Sequence, residues 1–252
     1  MGQIRVPKSL NPAGQKKSLI KRMCRHAISI LILFLGFEAF AYTSANDYDH
    51  NRSRLPDYVR ITALNRTLMA LDLINGGISY ERLGPGEELQ AHFESGIVGI
   101  ALTNFRIVGF GAASGSWSSY RFFGDEVPLN DGLRLSSRLA LLVTTRKAVI
   151  FDSATGSWIQ TTLPPFDSLL GFYVTENLAL VVTQRKVLGY SAGFCEDQRP
   201  RVRAWTGLDL RIQEPIVDIA VGDTVATLDT PQRLLFFNVA GAWWWVAKNR
   251  LF

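Results

Sequence analysis

The feature that most constrains this chain is a short text that recurs along it. An apolar strand runs into a turn carrying a basic residue, and a second strand follows that ends on a large apolar side chain. Four copies read LTNFRIVGF (102–110), VTTRKAVIF (143–151), VTQRKVLGY (182–190) and DTPQRLLFF (229–237). In each, a Thr stands seven residues before the aromatic: Thr103 and Phe110, Thr144 and Phe151, Thr183 and Tyr190, Thr230 and Phe237. A weaker first copy, LNRTLMAL (64–71), places Arg66 where Arg146 sits and Leu71 where Phe151 sits. Starting at residues 64, 103, 144, 183 and 230, the copies are spaced 39, 41, 39 and 47 apart.

That spacing is the period of a β-propeller blade. The strand before each turn is apolar at nearly every position, as in IVGIALT (97–103), LALLVT (139–144) and LALVVT (178–183). Alternation is expected of a strand with one wet face, so continuous apolarity means that both faces are covered. A polar turn and a third strand that opens near a Trp follow, with GSW at 115–117, GSW at 156–158 and GAW at 241–243. Segments such as EELQAHFE (87–94), SLLGFYVT (168–175) and EPIVDIAV (214–221) supply an innermost strand. Four strands in about 40 residues is the blade plan. The predicted fold is therefore all-β, a propeller of five blades, with four blades plus an extra hairpin as the alternative. The first copy lacks an innermost strand, because NDYDHNRSRLP (46–56) is polar.

The third copy, Val149-Ile150-Phe151-Asp152-Ser153-Ala154-Thr155-Gly156-Ser157-Trp158 followed by Leu163-Pro164-Pro165, resembles the kelch repeat and the related repeats of quinoprotein-type propellers. Thr144-Thr145 and Thr183-Gln184 stand where kelch repeats carry a Gly pair. The resemblance implies the fold over residues 57–252 and no particular activity. Within it Asp152 suits a turn start, its carboxylate accepting backbone N–H groups, and Gly156 suits a positive φ.

The N-terminus reads differently. Residues 1–26 hold seven Lys or Arg and no acid, an apolar run spans Ala27 to Phe37, and Ala39-Phe40-Ala41 offers the small residues of a cleavage site. Residues 1–41 thus read as a secretory signal peptide, or as an anchor where they stay uncleaved, and 42–56 as a polar linker. The exported domain is periplasmic or extracellular in this reading. The whole chain has a formal net charge of +5, but residues 42–252 hold 20 basic and 21 acidic residues, a net of −1. The basic character belongs to the export segment and does not point to nucleic acid. Only Cys195 remains after the signal, so no internal disulfide forms.

Catalytic patterns are missing from the text. His50 and His92 stand without Cys, Asp or Glu at metal-ligand spacing. Asp47-Tyr48-Asp49-His50-Asn51 begins like a calcium loop and fails at Arg52 and Tyr58, where Gly and Glu are needed. No nucleophile elbow, phosphate loop or dinucleotide fingerprint occurs, and no cofactor is expected. A glycosidase would need a carboxylate pair among Glu87, Glu88, Glu94, Asp131, Asp167, Glu214 and Asp218.

The candidate binding residues are the repeated cations. Arg66, Arg106, Arg146, Arg185 and Arg233, with Lys147 and Lys186 beside two of them, fall at the turn joining a blade's second and third strands. Five such turns on one face would ring the channel mouth with guanidinium groups, which suit carboxylate or phosphate. The structural alternative is that each pairs with a local acid. Trp243-Trp244-Trp245 offers a lectin reading through stacking on sugars, with alternation placing Trp243 and Trp245 on one strand face and Trp244 on the other. The long segment 193–205 and the sequons at Asn51 and Asn65 add a specificity loop and glycosylation sites to what the text allows. The function expected is a non-enzymatic exported platform that binds a protein or an anionic polymer or glycan, with a lectin or a glycoside-processing enzyme as rivals.

Overall fold

In the computed structural model, residues 56–165, 167–193, 203–212 and 214–248 are described. The signal segment, the linker up to residue 55, the calcium-like loop, the first sequon and Cys195 lie outside them. The described residues are all-β, with 19 strands in five antiparallel sheets and no helix. The first sheet holds β1 (Val59–Leu64), β2 (Thr67–Asp72) and β3 (Gly77–Arg82). The second holds β4 (Leu89–Ser95), β5 (Val98–Thr103), β6 (Arg106–Gly111) and β7 (Ser116–Arg121). The third holds β8 (Pro128–Leu135), β9 (Leu139–Thr144), β10 (Lys147–Asp152) and β11 (Ser157–Thr162). The fourth holds β12 (Leu169–Val174), β13 (Leu178–Thr183), β14 (Lys186–Ser191) and β15 (Ala204–Asp209). The fifth holds β16 (Asp218–Val221), β17 (Val225–Asp229), β18 (Arg233–Asn238) and β19 (Trp243–Lys248). Each sheet is a simple meander with its strands in sequence order. The first has three strands among the described residues, and the polar text before it lies outside them.

The continuously apolar strands are the ones covered on both faces. Every residue of β9 and of β13 is buried. Their neighbours β10 and β14 are buried from the second residue on. The clusters that bury them lie between sheets: Ile61 with Phe110 joins the first to the second, Ile107 with Phe151 the second to the third, Ile150 with Tyr190 the third to the fourth, and Leu228 with Leu180 the fourth to the fifth. Among the described residues no buried cluster joins the fifth sheet to the first.

Each junction uses one aromatic motif. Phe110, Phe151, Tyr190 and Phe237 each lie directly across the strand pair from a Trp, namely Trp117, Trp158, Trp205 and Trp244. The ring centroids are 5.2, 5.1, 5.4 and 5.1 Å apart in tilted geometry, an arrangement worth about 0.5–1.5 kcal/mol per pair beyond the area it buries. Three of the indoles also reach back to the preceding sheet, Trp158 donating to the Ser118 carbonyl, Trp205 to Ile159 and Trp244 to Thr206, at 3.2, 3.2 and 3.3 Å. This corrects the placement of the fifth Trp. Trp244 and not Trp243 continues the series, because it keeps the seven-residue step from Phe237 that Trp158 keeps from Phe151. Ala242, at φ +51°, takes the place of Gly115 and Gly156, both at φ +63°. Asp152 acts as the turn start expected of it, accepting the Ala154 N–H at 3.0 Å.

At two junctions the aromatic meets a glycine of the sheet before it, whereas Tyr190 packs with Ile150. A Cβ on Gly109 would sit 2.7 Å from the Phe151 ring, and one on Gly189 2.6 Å from the Phe237 ring. Glycine is required there for close approach. We expect Gly189→Ala to lower stability by about 1–3 kcal/mol through overpacking, measured by denaturant unfolding. Gly77→Ala, where nothing lies within 4 Å of the added carbon, should stay within about 0.5 kcal/mol of the parent.

Candidate functional site

The turn that carries the repeated cation is closed by the repeated Thr. Its hydroxyl oxygen accepts the backbone N–H three residues on, at 3.0 Å for Thr103, 2.9 Å for Thr144, 2.9 Å for Thr183 and 3.0 Å for Thr230. A Ser or Thr bonded to its own backbone in this way favours a turn over continued strand.

A buried carboxylate completes the arrangement, and sequence reading did not connect it to the turn. Glu87, Glu126 and Glu214 lie in the loops entering the second, third and fifth sheets, with Thr103, Thr144 and Thr230 at 2.9, 2.8 and 2.9 Å from their carboxylate oxygens. Each also accepts a backbone N–H three residues earlier, from Gly84, Phe123 and Arg211. In the second and fifth sheets an Arg closes the set. Arg106 Nε lies 2.6 Å from Glu87, with a second contact at 3.2 Å, and its other nitrogen meets Glu81 at 2.7 Å. Arg233 grips Glu214 through both oxygens, at 2.6 and 2.7 Å. The signal that would have revealed the group is a Glu 16 or 18 residues before each Thr.

The electrostatics follow from these contacts. Burial alone would raise the Glu214 carboxyl, but the Arg233 guanidinium, the Arg211 N–H and the Thr230 hydroxyl outweigh it and hold the group down at about 2. Glu87 is lowered against the same opposing burial, chiefly by Arg106. A general acid needs a raised carboxyl, and these two acids are held in the opposite direction by the contacts that tie the turn together. Tyr120 donates to Glu126 at 2.9 Å, and burial followed by that carboxylate raises its phenol.

The seven candidate cations therefore do not share one environment. Two registers exist: Arg66, Arg146 and Arg185 lie in the turn itself, whereas Arg106, Lys147, Lys186 and Arg233 begin the following strand. Arg106 and Arg233 are occupied by carboxylates. Arg146 pairs with Asp125 on the surface, and Arg66 donates to the Gly84 carbonyl. Lys147 donates to Gln160 at 2.9 Å and lies 5.5 Å over the rings of Tyr120 and Phe123.

The fourth sheet departs from the pattern. Asp167, one carbon shorter than Glu, accepts the Arg185 backbone N–H at 3.1 Å through one oxygen, while the other is buried without a partner. Thr183 has no carboxylate beside it among the described residues. Lys186 reaches only Asp209, at 3.7 Å, and the exposed Arg185 guanidinium has no partner among the described residues. A cleft of about 1330 Å³ opens here, lined by Arg185, Lys186 and Arg211 together with apolar Leu163, Pro164, Leu170 and Ile212. Arg211 touches the Gln232 side chain at 3.1 Å. Leu170 and Ile212 are exposed, the latter at 95 %.

No protein-family model matches the chain, and no curated protein matches it. Solved structures do. The Prp20p protein of Saccharomyces cerevisiae, described with its binding to Gsp1p and histones, is 11% identical over 71% of this chain and 57% of its own, with a TM-score of 0.34. The N-terminal domain of Nup159 is 7% identical over 77% and 60%, with a TM-score of 0.32. Hsv2p of Kluyveromyces lactis is 11% identical over 77% and 82%, with a TM-score of 0.30. The chain spans about three-fifths of the length of the first structures matched.

The carboxylate network makes stability acid-sensitive. The Glu214 carboxyl lies at about 2 in the fold against an ordinary 4.5, so its contribution is full above about 4.5 and is lost as pH falls toward 2, amounting to roughly 3 kcal/mol. Glu214→Gln should flatten that loss in denaturant titrations run between about pH 2 and pH 7. At neutral pH it should cost about 3–5 kcal/mol, because Arg233 is left buried and unpaired.

Proposed function

We propose that residues 57–252 form a five-bladed, propeller-type domain that is exported and serves as a non-enzymatic protein-binding platform. Its ligand is an acidic, partly apolar segment of another protein, received in the cleft beside the turn of the fourth sheet. The observation that carries this reading is the broken lock there: Arg185 has no partner among the described residues, Lys186 is loosely held, and exposed Leu170 and Ile212 stand beside them. A guanidinium already gripped by two carboxylate oxygens has little to offer a second anion, so Arg106 and Arg233 support the frame. Arg185, Lys186 and Arg211 remain for binding, with Arg66, Arg146 and Lys147 on the surrounding turns.

An anionic glycan matches the charge but has no use for the apolar side chains, which favours a protein. Charge on such a surface steers encounter and sets specificity, while buried apolar anchors supply most of the affinity. Export rests on the text of residues 1–41, with its basic stretch, apolar run and small-residue site.

Titrating the full chain with fluorescent acidic peptides that carry Leu or Phe, and with a sulfated oligosaccharide as the contrast, tests the reading. Reversing Arg185, Lys186 and Arg211 to Glu together should weaken peptide binding at least about tenfold, or 1.4 kcal/mol, and the parent affinity should fall as salt rises. Equal binding by the reversed variant, or preference for the oligosaccharide, contradicts it.

A further inference from the structure

On three sheets a carboxylate completes the turn, and on the fourth its place is vacant. Glu87, Glu126 and Glu214 each accept the backbone N–H three residues earlier and the hydroxyl of the turn Thr. On the second and fifth sheets the cation that opens the following strand grips the same carboxylate. It also donates to the carbonyl of the last residue of the preceding sheet's outer strand, Arg106 to Arg82 at 3.0 Å and Arg233 to Asp209 at 3.1 Å. Backbone N–H, hydroxyl and guanidinium thus converge on one carboxylate, whose charge strengthens each bond.

The fourth sheet keeps the frame and lacks this acceptor. Thr183 closes its turn as the others do, accepting the Lys186 N–H at 2.9 Å. Lys186 opens β14 at the position that Arg106 holds in β6 and Arg233 in β18. The entering loop departs in two ways. Asp167 is one carbon shorter than Glu, and the residue three positions before it is Pro164, which has no N–H to give. One oxygen of Asp167 accepts the Arg185 backbone N–H at 3.1 Å, and the other is buried without a partner among the described residues. Thr162 ends β11 as Arg82 ends β3 and Asp209 ends β15, and it lines the cleft together with Pro164 and Lys186. The cleft therefore opens over the place that the carboxylate fills on the other sheets.

We propose that a carboxylate of the ligand enters this vacant place and meets Lys186 as Glu87 meets Arg106 and Glu214 meets Arg233, and that Pro164 and Asp167 admit it by leaving the place open. The inference rests on the cleft receiving an acidic segment, and it adds which group of that segment is read and which residues make room for it. The three internal occupants of the place are carboxylates, so the frame suits that planar group and not a tetrahedral phosphate or sulfate.

Supplying the missing carboxylate from within the chain tests this. Asp167→Glu combined with Pro164→Ala restores both the reach and the N–H donor while leaving Arg185, Lys186 and Arg211 in place. A fluorescent peptide carrying Glu and Leu should bind the repaired full chain at least about tenfold more weakly than the parent, with Asp167→Glu alone in between. In denaturant unfolding the repaired chain should be more stable than the parent at pH 7 and lose that gain as pH falls below about 4.5, the ordinary carboxyl value, as a carboxylate held by donors does. Unchanged peptide binding by a repaired chain that shows this acid-dependent gain overturns the proposal, because the place is then filled and the ligand is indifferent to it. Absence of the gain also overturns it and leaves the cleft as a binding site of another kind. A parent that binds no acidic peptide overturns the reading of the cleft and this inference together.

Discussion

The structure depends on one contact repeated four times: the ring of Phe110, Phe151, Tyr190 or Phe237 tilted against its own sheet's Trp, with Phe151 and Phe237 also set close over a glycine of the sheet before. A meander sheet alone has two apolar faces and cannot stand in water. Stacking sheet on sheet removes both faces of the central strands, which is why β9 and β13 carry no polar alternation. The indole N–H bonds from Trp158, Trp205 and Trp244 fix the angle and depth of each junction, since an N–H buried without an acceptor would be costly.

At the turn end of the same sheets a polar arrangement does the corresponding job. Thr closes the hairpin, Glu holds the entering loop, and Arg links the two in the second and fifth sheets. The third sheet satisfies its Glu126 with Tyr120 instead. Only Asp167 stands at the corresponding place in the fourth sheet, and there the cations are left facing a cleft. Conformity builds the frame in this protein, and the departure from it marks the surface with free chemistry.

Much of this was legible in the text. The period of 39 to 47 residues located the turns of the five sheets, and the unbroken apolar runs located the central strands of the second, third and fourth, because burial on both faces leaves a direct compositional trace. Three things could not be read. The local Gly-x-Trp text points to Trp243, whereas the seven-residue distance from Phe237 selects Trp244. Arg66 and Arg106 look alike in sequence but sit in different turn registers, and a shift of one residue sends a side chain to solvent or to a buried carboxylate. Glu87 and Glu214 lie 16 residues from the Thr they contact, and their meaning depends on a loop between two sheets that no local pattern reveals.

The central claim is that the unlocked turn of the fourth sheet, and not the locked turns, receives the partner. Amide hydrogen exchange of the full chain with and without a saturating acidic peptide tests it most directly. The account predicts added protection at residues 184–186 and 209–212, with the turns at Arg106 and Arg233 unchanged. Protection spread evenly over all five turns, or confined to the turns of the second and fifth sheets, would contradict it.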